Sequence, residues 1–163
     1  MKSLDMNVDR IDRHILKCLQ LDNRISNQAL AEEVGLSPPA CLRRVRRLRE
    51  EGIIMADVAL LNPKLLGRTI NIIVEVEMNR DQLDVHDTFM RKMQAAHEVT
   101  QCYQVTGDVD FVLVVLVSDM EAYEAFARRD LASDPNLRKF RSLISLRRNK
   151  FETAINLDQI TTE

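Results

Sequence analysis

The residues able to do chemistry fall in two clusters. The first is Arg43, Arg44, Arg46, Arg47 and Arg49, in a stretch where no acid occurs between Ser37 and Arg49. Guanidinium groups fork onto phosphate oxygens and onto guanine edges. A merely solvated helix face would mix signs, because like charges at i, i+4, such as Arg43 and Arg47, repel. The second cluster is TGDVDF, residues 106–111, where Asp108 and Asp110 follow closely on Gly107. Glycine lets a ligand approach the backbone, and such a turn can hold an ammonium group by carboxylate and a carboxylate group by N–H donors. The same composition also makes an ordinary hairpin turn. His14, His86 and His97 fall on helix or loop, none beside TGDVDF, and no nucleophile–base pair emerges. Cys18, Cys41 and Cys102 are scattered, with no C-x-x-C spacing. That pattern argues against a disulfide framework or a zinc site. No catalytic residue, metal or cofactor is expected.

The arginines need a helix to present them. In DRIDRHILKCLQ, Ile11, Ile15, Cys18 and Leu19 form one apolar stripe at helical spacing. Ser26 is placed to cap a second helix with Leu30 and Val34 inward, and Gly35 ends it. Ser37 is placed to cap a third, with Pro38 at the first helical position, where a missing N–H costs nothing. Leu36 and Cys41 are spaced for a hydrophobic staple, and Gly52 stops the helix. Two short helices around a glycine-containing turn predict a helix-turn-helix. On a helical wheel Leu42, Val45 and Leu48 cluster with Cys41 and Pro38. Arg43 and Arg47 point away with Ala40 beside them, and Arg44 and Arg46 flank them. A small N-terminal end that turns cationic suits the major groove. The candidate DNA contacts are Asn27, Gln28, Ser37, Pro39, Ala40, Arg43, Arg44, Arg46 and Arg47.

The remaining hundred residues must be a second domain. LLNPKLLG, residues 60–67, reads as linker sequence, which sets a linker at 61–68 between residues 1–60 and 69–163. From Thr69 the period changes to two, with Ile70, Ile72, Val74, Val76 and Met78 on one face, a strand. A helix follows with Val85, Phe89 and Met93 inward, then the strand VTQCYQVT, the turn GDVD and the strand FVLVVLV. Another helix places Met120, Tyr123, Ala127 and Leu131 inward, and SLISLRR closes as a strand. The order β-α-β-β-α-β predicts a ferredoxin-like sandwich in which two helices cover one face. Val112, Val114 and Leu116 lie on the other face, which a homodimer through the sheets would cover.

Lys+Arg 23 against Asp+Glu 25 means that any affinity for nucleic acid is local, on the arginine helix. A hydrophobic content of 45% is ample for packed cores. No apolar run is long enough for a bilayer, so no membrane partner and a cytoplasmic location are expected.

DRIDRHIL, RISNQALAEEVGLSPPACLRRVRRL and LLNPKLLG together resemble the leucine-responsive regulatory protein (Lrp/AsnC) family of bacterial and archaeal transcription regulators. The similarity covers nearly the whole chain. It implies an α+β protein, an N-terminal winged helix-turn-helix plus a C-terminal ferredoxin-like βαββαβ sandwich. It further implies sequence-specific binding of double-stranded DNA under control of a small effector, an amino acid by class, and dimers assembling to tetramers or octamers. Gly107, Asp110 and Phe111 match the family's Gly-x-x-Asp-aromatic signature, with Phe111 where most members have tyrosine. The resemblance places an effector pocket between dimers, lined by Thr106, Gly107, Asp108 and Asp110 and faced by Leu143, Ile144 and Ser145. The segment after the third helix reads IIMAD, without the basic or polar residues of many family wings. Two other classes stay open: a nucleoid-architectural DNA-binding protein with weak effector response, and a tetrapyrrole-decarboxylase-like enzyme on the same fold.

Overall fold

The computed structural model describes residues 8–67, 69–79 and 83–158. The chain divides into two compact units, Met1–Leu60 with Phe151–Glu163, and Leu61–Lys150. Residues 151–158 thus pack with the first unit, although in sequence they continue from the second. In the first unit, Lys17 donates to Asp158 at 2.6 Å, and Gln20 exchanges two hydrogen bonds with the backbone of Ile155. The polar side of the first helix therefore has a use that its apolar stripe does not announce. Of the expected linker, Pro63–Leu66 forms a short helix, and Arg68 lies outside the described residues.

In the first unit α1 spans Arg10–Leu21, α2 Asn27–Glu33 and α3 Pro38–Glu50. Asp9 caps α1 by accepting from the Asp12 N–H, and Asp12 returns the bond to the Asp9 N–H, a capping box. Ser26 caps α2 as expected, accepting from Ala29. Gly35 closes α2 at φ +69°, so that the N–H of Leu36 reaches Ala31 at 2.8 Å. Glycine reaches this left-handed conformation without the Cβ penalty. Ser37 stands at the N-cap of α3 in extended geometry, but its hydroxyl makes no capping bond. Ile15, Leu30, Ala31, Val34, Cys41, Val45 and Leu48 form the core, with Leu36 packed against it. The buried stripe of α3 is Cys41, Val45 and Leu48. Leu42, expected inward, is 37% exposed, one position off that stripe. Among the described residues, 55–62 pair with no strand.

The second unit contains α4 (Pro63–Leu66), β1 (Ile70–Met78), α5 (Leu83–Ala95), β2 (Val99–Gln104), β3 (Phe111–Val117), α6 (Met120–Phe126) and β4 (Leu137–Ile144). The strands form one sheet in the order β2-β3-β1-β4, with each neighbouring pair antiparallel. This is the split βαβ arrangement expected. After α6 the helix widens into a π-helical segment, Ala127–Ala132. Ile72, Val74, Val76 and Met78 of β1 and Phe111, Leu113, Val115 and Val117 of β3 are buried with Phe89, Met93, Tyr123, Phe126, Ala127 and Leu131. Phe126 joins the inward set, whereas Met120, expected there, is exposed in the first turn of α6. The hydroxyl of Tyr123 bonds that of Ser142, tying α6 to β4.

The opposite face of the sheet carries Val112, Val114 and Leu116, all half-buried, beside exposed Ile73, Tyr103 and Leu143. Arg141 pairs with Glu75 directly across β4 and β1 at 2.7 Å. The face is thus apolar in its middle, with ion pairs toward one end.

Candidate functional site

The arginine helix is not a simple outward row of cations. Asp12, on α1, is 0% exposed, and two α3 arginines converge on it. Arg44 donates to Asp12 at 2.9 Å and to Asp9 at 2.6 Å, and Arg47 donates to Asp12 at 2.5 Å. Arg47 also faces Glu51 at 3.8 Å, one turn further on. A carboxylate taken out of water needs such partners, since an uncompensated buried charge is very costly. The α1 stripe explains the burial: position 12 lies between Ile11 and Ile15, on the side that meets α3. The expectation that Arg47 projects freely away from the core is therefore corrected. Counting acids along α3 alone overlooked those that α1 brings to it.

Arg43 and Arg46 remain exposed, and neither makes an ion pair among the described residues. Arg49 pairs with Asp57 at 2.9 Å. At the N-terminal end of the helix, Pro39 and Ser37 are exposed and Ala40 is half-buried. Asn27 donates to the carbonyl of Pro38 at 2.9 Å, bridging the starts of α2 and α3. Gln28 leans back to Glu32 at 3.4 Å.

In the second unit the turn 105–110 joins β2 to β3, with Gly107 at φ +122°. Thr106, Gly107 and Asp108 are exposed. Asp110 is held differently. Its carboxylate accepts the Met78 N–H at 2.6 Å, its own N–H reaches Val76 at 2.9 Å, and its carbonyl accepts from Val105 at 2.9 Å. One carboxylate oxygen thus braces the end of β1. Phe111 is fully buried on the helix side, 4.9 Å from the ring of Phe89. His86 lies edge-on to Phe111, with ring centroids 5.3 Å apart, and Gln104 meets its Nδ1 at 3.1 Å. That corrects the expectation that no histidine approaches TGDVDF.

Leu143, Ile144 and Ser145 do not present one wall. Ile144 stands opposite buried Ile72, while Leu143 stands opposite exposed Ile73. Alternation along a strand puts Leu143 and Ser145 on the open side and Ile144 on the other. Nor does the turn meet them within one chain. Phe111 is level with Val76, and Leu143 is level with Ile73 two strands away. That is a displacement of about 10 Å along the strands and about 10 Å across them.

Residues 8–55 match the winged helix-turn-helix DNA-binding family, and residues 71–155 match the Lrp/AsnC ligand binding domain family. The chain belongs to the Lrp/AsnC family. It is a transcriptional regulator, with a helix-turn-helix unit joined to a ligand-binding unit. It is 42% identical over 138 residues to the leucine-responsive regulatory protein of Escherichia coli (strain K12), covering 85% of this chain and 84% of that one. The crystal structure of an AsnC family regulator from Agrobacterium tumefaciens superposes with a TM-score of 0.86 at 33% identity, over 94% of this chain and 99% of that one. A transcriptional regulator from Neisseria meningitidis, solved as an L-Met complex, gives a TM-score of 0.83 at 31% identity, over 92% and 97%. No helix among the described residues is long and apolar enough to cross a membrane.

Asp12→Ala should destabilise the first unit by about 2–4 kcal/mol, toward the lower end because Arg44 and Arg47 can turn to solvent. Chemical denaturation followed by circular dichroism measures it. Asp9 gives a pH dependence. The Asp12 N–H, with the Arg44 guanidinium adding to it, holds the Asp9 carboxyl below its ordinary range against the opposing pull of burial. A depressed folded-state value means stabilisation that is full above about pH 4 and lost as pH falls through that value. Asp9→Asn should remove that part of the acid sensitivity in melting curves taken as a pH series. Asp110→Ala should strip the Met78 N–H of its partner and cost about 1–3 kcal/mol without any ligand present. An unchanged melting temperature would show that the brace contributes nothing.

Proposed function

We propose that α3 enters the major groove of double-stranded DNA with Arg43 and Arg46 as its free cations, while Arg44 and Arg47 hold the helix in place. The observation that carries this reading is the division of the four arginines. Two are neutralised on Asp9 and Asp12, and two stay exposed without an ion pair among the described residues. Ser37, Pro39 and Ala40 at the start of α3 let the backbone come close to the bases, and the Asn27 bridge to Pro38 keeps that end in register with α2. Gln28 lies on the first turn of α2, where a phosphate contact would fall.

The second unit, in this reading, takes an amino acid. The L-Met complex of the Neisseria meningitidis relative supports that ligand class. Thr106, Gly107 and Asp108 offer an exposed turn, Asp110 positions it, and Leu143 and Ser145 offer a second surface. Because one chain keeps these two surfaces apart, the pocket takes them from different copies. The apolar open face of the sheet supplies the first contact between copies, and dimers build tetramers or octamers. The chain acts in the cytoplasm, where its DNA is, and regulates without catalysis.

Arg43→Ala and Arg46→Ala should each weaken binding to a selected operator by about 1–3 kcal/mol where the side chain reads a base. Where it meets phosphate, the salt slope should fall by about one. Wild-type mobility-shift affinity in a folded double variant would end this assignment. Light scattering should return multiples of the 18.8 kDa chain mass, and Ile73→Lys should lower the mass while the secondary structure persists. A wild-type mass of 18.8 kDa across a dilution series would refute the shared pocket.

A further inference from the structure

We propose that His14, Cys18 and Glu33 form a binding site for a divalent transition cation of the zinc class, joining α1 to the end of α2. Their ligand atoms, one nitrogen, one sulfur and one carboxylate oxygen, all lie within 4.8 Å of one another. His14 and Cys18 are one turn apart on α1, and Glu33 is the last residue of α2. The His14 Nε2 and Glu33 Oε1 atoms are 3.9 Å apart.

Zinc bonds of about 2.0–2.3 Å in tetrahedral geometry bring donors to within about 3.5 Å of one another. From at most 4.8 Å, the trio must therefore close by up to about 1.3 Å. His14 and Glu33 are exposed and Cys18 is half-buried, so side-chain rotation alone can supply that. The donor set selects the metal. Thiolate and imidazole favour zinc-class ions, whereas magnesium and calcium take oxygen ligands. Three protein ligands leave one tetrahedral position for water.

A second observation points the same way. α2 ends in Glu32 and Glu33 and carries no basic residue in its last turn. Acids there oppose the negative end of the helix dipole, and a cation bound at Glu33 would offset both charges. Cys18 is a free thiol. Binding would exchange the thiol proton for the metal, one proton released per ion, with no change of oxidation state. The sequence spacing concealed this site because its ligands come from two helices, and the closest spacing, His-x-x-x-Cys, is no zinc motif by itself. The expectation of no metal rested on that absence.

The ion would staple α1 to the leading helix of the helix-turn-helix, leaving the outward side of α3 clear. The test is titration of the full-length reduced chain with Co2+, followed by the sulfur-to-cobalt charge-transfer band and the visible d–d bands. The expected result is one equivalent bound per chain, displaced by Zn2+. Cys18→Ser should abolish the charge-transfer band. His14→Ala and Glu33→Gln should weaken binding about tenfold or more. His97→Ala, in the other unit, should bind as wild type. Zn2+ should raise the melting temperature of wild type but not of Cys18→Ser. No band in wild type, or a band that persists in Cys18→Ser, overturns the site and leaves His14 and Glu33 as an ordinary surface ion pair.

Discussion

The carboxylate of Asp12 is the constraint on which the first unit turns. It is fully buried between α1 and α3, and it accepts from both Arg44 and Arg47. A lone ionised acid in that position would cost several kcal/mol, and an Arg44–Arg47 pair at i, i+3 without it would repel. Together the three groups cancel both penalties. They also restrain the rotation of α3 about its own axis, because two guanidinium groups share one buried carboxylate. The buried stripe Cys41, Val45 and Leu48 and the ion cluster agree on one rotation. With the rotation set, the outward direction of Arg43 and Arg46 follows.

A comparable division of labour governs the second unit. The apolar residues of β3 alternate between a face sealed by α5 and α6 and a face left half-buried in one chain. Burial is thus asymmetric although the composition is not. Asp110 serves this arrangement by locking the β2–β3 turn to the end of β1, so the exposed part of the turn, Thr106 to Asp108, hangs from a rigid base. A residue whose type suggests ligand chemistry has its bonding capacity partly committed to the backbone.

Much of this was legible in the residues. Ser26, Gly35, Pro38 and Gly52 marked the helix ends, because caps and left-handed glycines are local devices. The period of two in β1 and the order of elements predicted the sheet. What escaped was tertiary. Arg47 looked free because its partner lies 35 residues away on another helix. The clue was present in α1, where Asp12 interrupts an otherwise apolar stripe; an acid on a buried face must find a cation. Leu143 and Ile144, neighbours on β4, fall on opposite faces because side chains alternate along a strand. His86 was set aside because its distance in sequence from Phe111 hides the packing of α5 on β3. The return of residues 151–158 to α1 rests on hydrogen bonds with Lys17 and Gln20, which leave no period in the sequence.

The separation of the turn from β4 has a consequence for how regulation would operate. In the proposed pocket the two surfaces come from different copies, so the ligand binds only where copies have met. Anything that binds an assembled state and not the separated one stabilises assembly by mass action, and assembly raises ligand affinity by the same factor. A palindromic operator adds a third participant, because two α3 helices held at one spacing bind far more tightly than two that are independent. Effector, oligomer and DNA are then coupled through one equilibrium. No bonded path from Asp108 to Arg43 within a chain is needed. The ion cluster on Asp12 serves this coupling, since the spacing of two α3 helices can be read at the DNA only if each keeps its own rotation.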